Sequence, residues 1–176
     1  MTVQSTWELS LMSLAEEALL DGAKISWDFD REKEALSDAY TLCDKITAEN
    51  SKSFFMSSAL LQGDKRRGAR ALYAFCRVTD DIVDEPRWRN EEPPSLENIL
   101  EDMDHWKRTS LSSNPAHHNL VSLAWADTRA RFNIPLRFAE QLIDGVLQDM
   151  NINRYYSFDE LASYSYGVAS TVGLMS

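Results

Sequence analysis

The segment that most constrains the fold is DKRRGARALYAFCRVTDDIVDE, residues 64–85. On a helical wheel at about 100° per residue, its apolar side chains cover almost the whole circumference. The exception is one narrow polar stripe, formed by Tyr73, Arg77, Asp80 and Asp84. A helix with so little polar surface is typical of the interior of a larger bundle, and its stripe must face something wet or charged. The segment therefore predicts a central helix in a multi-helix fold.

The rest of the chain is also helical in pattern. Strand-like alternation is almost absent, and the six glycines and five prolines fall mostly between periodic segments. Pro86 predicts the end of the central helix at residue 85, and Ser157 with Glu160 forms a capping-box pattern at the start of the last helix. The 176 residues suffice for one domain with a sizeable core. The sequence thus predicts an all-α fold, with helices at 6–20, 34–49, 51–61, 64–85, 96–109, 119–132, 136–151 and 158–176.

The two ends of the chain differ from the middle. Near the start, WELSLMSLAEEALL predicts a short amphipathic helix that docks on the bundle, and SWDFDRE predicts an irregular acidic joint. A membrane-surface helix is disfavoured, because the polar side carries Glu rather than Lys or Arg. At the other end, YGVASTVGLMS stays apolar to the last residue, which indicates a cut inside a larger fold. The predicted organisation is an N-terminal extension at 1–33 and an incomplete domain at 34–176.

Charge and cysteine usage narrow the class of protein. A net charge of −10 argues against nucleic acid as a partner and favours a soluble protein. No apolar run reaches the length of a membrane span, and the N-terminus lacks the regions of a signal peptide. Cys43 and Cys76 show no motif spacing, so we expect reduced, packed thiols. These features together predict a cytoplasmic location.

Four acids, Asp80, Asp81, Asp84 and Glu85, crowd the predicted end of the central helix. In the last turns they would meet the negative end of the macrodipole, and Asp80 and Asp84 would repel each other at i, i+4 spacing. Ordinary solvated acids fit poorly, because the stripe is one side chain wide and interrupts apolar surface. A divalent cation would offset both penalties, and two carboxylates with water and phosphate oxygens suit Mg²⁺. We therefore expect Asp80 and Asp84 to bind Mg²⁺, with Mn²⁺ as an alternative.

A second motif, ENSKSFF, predicts an anion site at the start of a helix. Backbone N–H groups, two hydroxyls and one ammonium in a first turn can hold a phosphate, although most such strings are plain helix caps. The predicted cap and first turn consist of Asn50, Ser51, Lys52 and Ser53. Arg77 is placed to balance the acids or to hold a phosphate. We interpret Arg66 and Arg70 as phosphate neighbours and Arg67 as solvated.

Two stretches resemble the family of phytoene and squalene synthases, which join isoprenoids head to head. They are NSKSFF…DKRRGARALYAFCRVTDDIVDE and LIDGVLQDMNINRYYSFDELASYSYGVASTVGLMS, and the similarity begins near residue 45. The resemblance implies an all-α bundle around a deep apolar cavity. Two Asp-rich motifs hold Mg²⁺ ions that bind the diphosphates of two prenyl chains. One chain ionises, the other attacks it to give a cyclopropyl diphosphate, and rearrangement yields the C1–C1′ linked product.

The resemblance also implies roles for individual residues. Asp80 and Asp84 match the first metal motif, whereas the second motif is expected beyond Ser176. Tyr73 and Arg77 match residues that contact substrate, and we assign them with Tyr164, a cavity tyrosine, to catalysis. The residues implied in substrate binding are Asn50, Ser51, Lys52, Ser53, Tyr73, Arg77, Val168 and Val172. Asn50 stands where many members carry His, and Asp149 keeps an aspartate of the family.

The product and the activity leave alternatives open. VASTVGLMS resembles phytoene synthases, which use two geranylgeranyl diphosphates, and the small Ser58, one turn after Phe54, leaves room for a longer chain. The alternative is a squalene or dehydrosqualene synthase that uses two farnesyl diphosphates. A half-enzyme could also be an inactive, truncated helical protein. The implied partners are prenyl diphosphates, the missing C-terminal half and, for a lipophilic product, a peripheral membrane contact.

Overall fold

A computed structural model describes residues 6–20, 33–88, 95–150 and 154–176. The described residues are mainly helical and contain no strand, which confirms the all-α prediction. The helices are α1 (Thr6–Leu20), α2 (Lys33–Asn50), α3 (Lys52–Ser58), α4 (Gly63–Trp88), α5 (Leu96–Ser110), α6 (Leu120–Phe132), α7 (Leu136–Asp149), α8 (Phe158–Ser165) and α9 (Thr171–Met175), with a π-helical turn (Tyr166–Ser170) between α8 and α9. The predicted joint SWDFDRE lies outside the described residues.

The first compact unit contains α2 to α6. Its centre is an aromatic stack in which Phe75 lies between Trp106 and Trp125, with ring centroids 6.0 and 4.8 Å apart. The Trp106 indole donates a 2.8 Å hydrogen bond to the buried Thr79 hydroxyl. These contacts bury one flank of α4 against α5 and α6, as expected for a helix that is apolar over most of its circumference.

Helix α6 carries a charged pair into this unit. Asp127 is fully buried, and one of its oxygens accepts hydrogen bonds from Tyr40 at 2.5 Å and from Arg131 at 2.7 Å. Burial, and next the Asp127 hydrogen bond, raise the pKa of Tyr40, which keeps the phenol protonated. The helix ends at Asn133, which adopts the left-handed conformation typical of a C-cap.

The second compact unit contains α1 and α7 to α9. The Gln141 side chain donates a hydrogen bond to the Leu14 carbonyl and accepts one from the Tyr166 hydroxyl, at 3.0 and 3.1 Å. Trp7 packs edge to face on Phe158, with ring centroids 5.2 Å apart. Helix α1 therefore lies against α7 and α8.

The structure differs from the predicted helices in two details. Helix α4 continues past Pro86 to Trp88, so the prediction that it ends at residue 85 was wrong. Because the macrodipole acts mainly within the last turn, it opposes Asp80 less than the sequence suggested. The expected capping box is also altered: Ser157 accepts from the Glu160 N–H, but the Glu160 carboxylate accepts from Tyr156.

Candidate metal and diphosphate site

The polar stripe of α4 is present as a single face of the helix. Tyr73 and Arg77 are half-buried, whereas Asp80 and Asp84 reach the surface of the chain. Spacings of three and four residues place successive members one above another. The stripe therefore grades from a semi-buried end at Tyr73 to an exposed, acidic end at Asp84.

The carboxylates of Asp80 and Asp84 lack partners among the described residues. In the part of the chain that the structure describes, neither makes a hydrogen bond or an ion pair. Partial burial of the Asp80 carboxyl, and next the negative charge of Asp84, raise the pKa of Asp80 to about 6. Two adjacent, unpaired carboxylates that repel each other are the chemistry that a hard cation relieves.

The carboxylates of Asp80 and Asp84 can supply part of the coordination shell of a magnesium ion. No group of three metal-ligating side chains occurs among the described residues, and the side chains of Glu85 and Asp149 lie outside them. Mg²⁺ usually keeps several waters and takes one or two carboxylates together with substrate phosphate oxygens. The pair Asp80 and Asp84 matches that incomplete coordination, so bound anion and water must supply the remaining ligands.

Arg77 is paired with Asp81, which lies between Asp80 and Asp84 in the sequence. Its guanidinium contacts both carboxylate oxygens of Asp81, with Nη2–Oδ1 at 2.5 Å and Nε–Oδ2 at 3.1 Å. The sequence interpretation placed Arg77 against the metal acids and gave Asp81 no role. The i, i+4 spacing of Arg77 and Asp81 was the available signal, since it favours such pairs on a helix.

The SKS turn, Ser51–Ser53, opens α3. Ser51 is extended and its hydroxyl accepts from the Phe54 N–H, so Ser51 is the N-cap. The prediction that Asn50 caps this helix was wrong, because Asn50 ends α2 and its amide donates to the Ile46 carbonyl. Lys52 and Ser53 are exposed, and the hydroxyls of Ser51 and Ser53 lie 3.5 Å apart. The turn therefore presents hydroxyls and an ammonium to its surroundings.

An aromatic pair connects this turn to the stripe. Phe54, next to the turn, stacks on Tyr73 with ring centroids 5.2 Å apart and an interplanar angle of 20°. The hydroxyl turn therefore lies beside the Tyr73 end of the stripe, and the acid pair lies two to three helical turns further along α4.

Arg70 has a structural role instead of the predicted phosphate contact. It is only 5% exposed, and its guanidinium donates to the Ser58 hydroxyl at 3.0 Å and to the Phe55 carbonyl at 3.1 Å. It also pairs with Asp44 at 3.0 Å. With its donors engaged, Arg70 is not free for a phosphate, and it instead fixes α3 to α4. Sequence alone carried no signal for these partners.

The other predicted residues lie in the α1, α7–α9 unit. Tyr164 is half-buried and packs on Tyr155, with ring centroids 5.2 Å apart. Val168 and Val172 are half-buried, the former in the π-helical turn and the latter in α9. The sequence predicted an uninterrupted helix here. A π-helical turn is rare and frequently occurs at functional sites.

A solved dehydrosqualene synthase in complex with ligand has the same fold, with a TM-score of 0.67 and 24% identity over 84% of this chain and 47% of that one. The described helices thus adopt the isoprenoid synthase fold. Residues 47–176 match the squalene/phytoene synthase model, and the chain belongs to that family.

Curated relatives point to the same family. A phytoene synthase of Arthrospira platensis is 40% identical over 142 residues, which cover 80% of this chain and 43% of that protein. Phytoene synthase 1 of Zea mays is 35% identical, over 85% of this chain and 35% of the relative, and phytoene synthase 2 of Solanum lycopersicum is 36% identical, over 80% and 44%. The chain thus spans less than half the length of these relatives. None of the described helices has the length and apolar character to cross a membrane.

Proposed function

We propose that this chain supplies the first metal site and the diphosphate-binding turn of a synthase that joins two geranylgeranyl diphosphates to phytoene. The observation that carries the proposal is the acid pair Asp80 and Asp84, which has no partner among the described residues and lies one to two turns beyond Arg77. The chain that carries this pair is a member of the squalene/phytoene synthase family. The coarser activity, head-to-head prenyl transfer, is that of the family. The length of the prenyl chains is the finer part of the proposal.

Each residue would have a defined task. Asp80 and Asp84 would hold Mg²⁺, which neutralises the diphosphate and so assists its departure from the allylic carbon. Ser51, Ser53 and Lys52 would donate hydrogen bonds to diphosphate oxygens. Arg77 would add a positive charge beside them.

The prenyl chain needs a different environment, since a carbocation must be kept from water. Tyr73 would contribute its aromatic ring, which stacks on Phe54 and is thereby fixed in position. The hydrocarbon part of the substrate would contact Tyr164, Val168 and Val172, as the family resemblance implies. Asn50, which ends α2 directly before the SKS turn, would also take part in substrate binding.

The preference for geranylgeranyl diphosphate is supported by relatives called phytoene synthases at 33–40% identity. Ser58 is buried, so its size bears on the space beside α3. A squalene or dehydrosqualene synthase that uses farnesyl diphosphate is the second candidate. The similarity to a solved dehydrosqualene synthase shows the fold alone, and does not favour this candidate.

The second Asp-rich motif would lie beyond Ser176, so the 176 residues alone would bind diphosphate without turning over prenyl substrates. We propose a cytoplasmic enzyme with peripheral membrane contact, because its hydrocarbon product partitions into lipid. An inactive helical protein is the alternative that the experiment below must exclude.

The test is binding of inorganic pyrophosphate to the 176-residue chain by isothermal titration calorimetry, with and without Mg²⁺. We expect binding that depends on Mg²⁺ and is lost when Asp80 is replaced by Asn. Incubation with geranylgeranyl or farnesyl diphosphate should give no steady hydrocarbon, whereas the gene extended by its in-frame downstream sequence should give phytoene. Binding that ignores Mg²⁺ would contradict the metal site, and a C30 hydrocarbon would establish the second candidate.

A further inference from the structure

Arg77 has two acids within reach on its own helix. Asp80 lies three residues ahead and Asp81 four, and both spacings allow an arginine–carboxylate pair. The structure shows only the second: both oxygens of Asp81 contact the guanidinium. Asp80 and Asp84 remain without hydrogen bonds or ion pairs among the described residues.

The choice between these acids matters for cation binding. A guanidinium that turned to Asp80 would occupy the oxygen lone pairs that a metal ion needs. It would also place a fixed positive charge where the ion must enter. Because the contact with Asp81 is bidentate, it fixes the direction of the guanidinium as well as its distance.

We propose that Asp81 is a positioning residue that holds Arg77 away from Asp80 and Asp84. The role rests on the proposed function, since it presumes that the acid pair binds Mg²⁺ and that Arg77 faces a diphosphate. Asp81 acts through Arg77 and is not a metal ligand, because both of its oxygens face the guanidinium. Asp81 thereby leaves the carboxylates of Asp80 and Asp84 accessible to a metal ion and keeps the Arg77 guanidinium beside them.

The experiment measures Mg²⁺ binding to the 176-residue chain and its variants by calorimetry, then pyrophosphate binding in saturating Mg²⁺. Asp81→Asn should weaken Mg²⁺ binding about two- to fivefold, the scale of a partly exposed ion pair turned into a competitor. Asp81→Glu keeps the charge and reaches the same guanidinium, so it should restore wild-type affinity. Far-UV circular dichroism checks that each variant is folded.

A double variant separates positioning from simple charge. With Asp81→Asn and Arg77→Gln together, the competing guanidinium is gone, so Mg²⁺ affinity should return to at least the wild-type value. Pyrophosphate binding in saturating Mg²⁺ should be weaker than in wild type, because the cation beside the acids is lost. The matched control adds Lys65→Gln to Asp81→Asn. It has the same net charge, but Lys65 lies 12 residues from Arg77, about 18 Å along the helix, so it should not restore affinity.

The outcomes are distinct. Wild-type Mg²⁺ affinity in Asp81→Asn would overturn the positioning role alone. A double variant as weak as Asp81→Asn would overturn it, because the guanidinium would then not be the competitor. Equal recovery with Lys65→Gln would overturn it in favour of a general charge effect. A wild-type chain that binds neither Mg²⁺ nor Mg²⁺ with pyrophosphate would overturn the proposed function, and the role of Asp81 with it.

Discussion

The Nε atom of Arg70 donates a hydrogen bond to the Ser58 hydroxyl at 3.0 Å, and this contact ties the short helix α3 to α4. The guanidinium also lies over the Phe55 ring, 4.0 Å from its centroid, and pairs with Asp44 of α2. Three helices therefore meet at one buried cation. Because α3 begins with the SKS turn, the position of the candidate diphosphate site depends on this arginine.

Replacing Arg70 by Met should destabilise the chain by about 2–3 kcal/mol, because charge-assisted hydrogen bonds are lost while a similar apolar volume is kept. Urea unfolding followed by circular dichroism measures the change. The matched control is Arg108→Met, whose pair with Asp104 is exposed and should cost below about 0.5 kcal/mol. Equal effects of the two variants would show that the contacts of Arg70 carry little stability.

The contact between Gly145 and Gly167 gives a second prediction. A Cβ atom on Gly145 would lie 3.0 Å from the backbone of Gly167, in the π-helical turn. Gly145→Ala should therefore cost about 1–3 kcal/mol, since backbone cannot yield as a flexible side chain does. Gly173→Ala is the control in the same unit: nothing lies within 4 Å, so helix propensity should leave it neutral or stabilise it by up to about 1 kcal/mol. Thermal melts of both variants decide the matter, and equal melting temperatures would contradict the close approach.

Helical periodicity was enough to predict the positions of the helices and the stripe of α4. It could not predict the π-helical turn at Tyr166–Ser170, because the spacing of apolar residues hardly changes there. The turn coincides with the close approach of Gly145 and Gly167, a tertiary contact. Similarly, Pro86 normally ends a helix, yet local preference was overridden and α4 continues.

The residues of the candidate site were likewise predictable only in part. Asp80 and Asp84 could be predicted as a pair because their spacing and the apolar surroundings are local properties. The partner of Arg77 could not, since i, i+3 and i, i+4 pairing are both allowed and only coordinates distinguish them. Arg70 was misassigned because its partners lie on other helices.

The two thiols should be poorly reactive. Burial raises the pKa of both Cys43 and Cys76 to about 12, and the charge of Asp80 adds to the effect at Cys76. The thiolate is the nucleophile, and at these pKa values almost no thiolate is present at pH 8. Reaction with a disulfide reagent should be slow for the native chain and complete within minutes in denaturant. Fast labelling of the native chain would show that the helices around these thiols open readily.

The last prediction concerns pH. The pKa of Asp80 is about 6 in the folded chain, above the ordinary value of an aspartate. Between these values the folded state holds more protons than the unfolded state, so stability falls as pH rises through this range. The penalty is complete above about pH 6 and disappears in acid.

Asp80→Asn should therefore be more stable than wild type at pH 7.5 without metal, by about 1 kcal/mol or less because the group is partly exposed. The gain should vanish near pH 4, and in wild type Mg²⁺ affinity should fall as pH drops below about 6, where a proton competes with the ion. Urea unfolding at both pH values, with and without Mg²⁺, measures these effects. Asp102→Asn removes the same charge from an exposed position on α5, and should show no such pH-dependent gain. A gain of equal size in that control would trace the effect to net charge, and would count against burial of Asp80 and its repulsion by Asp84 as the cause.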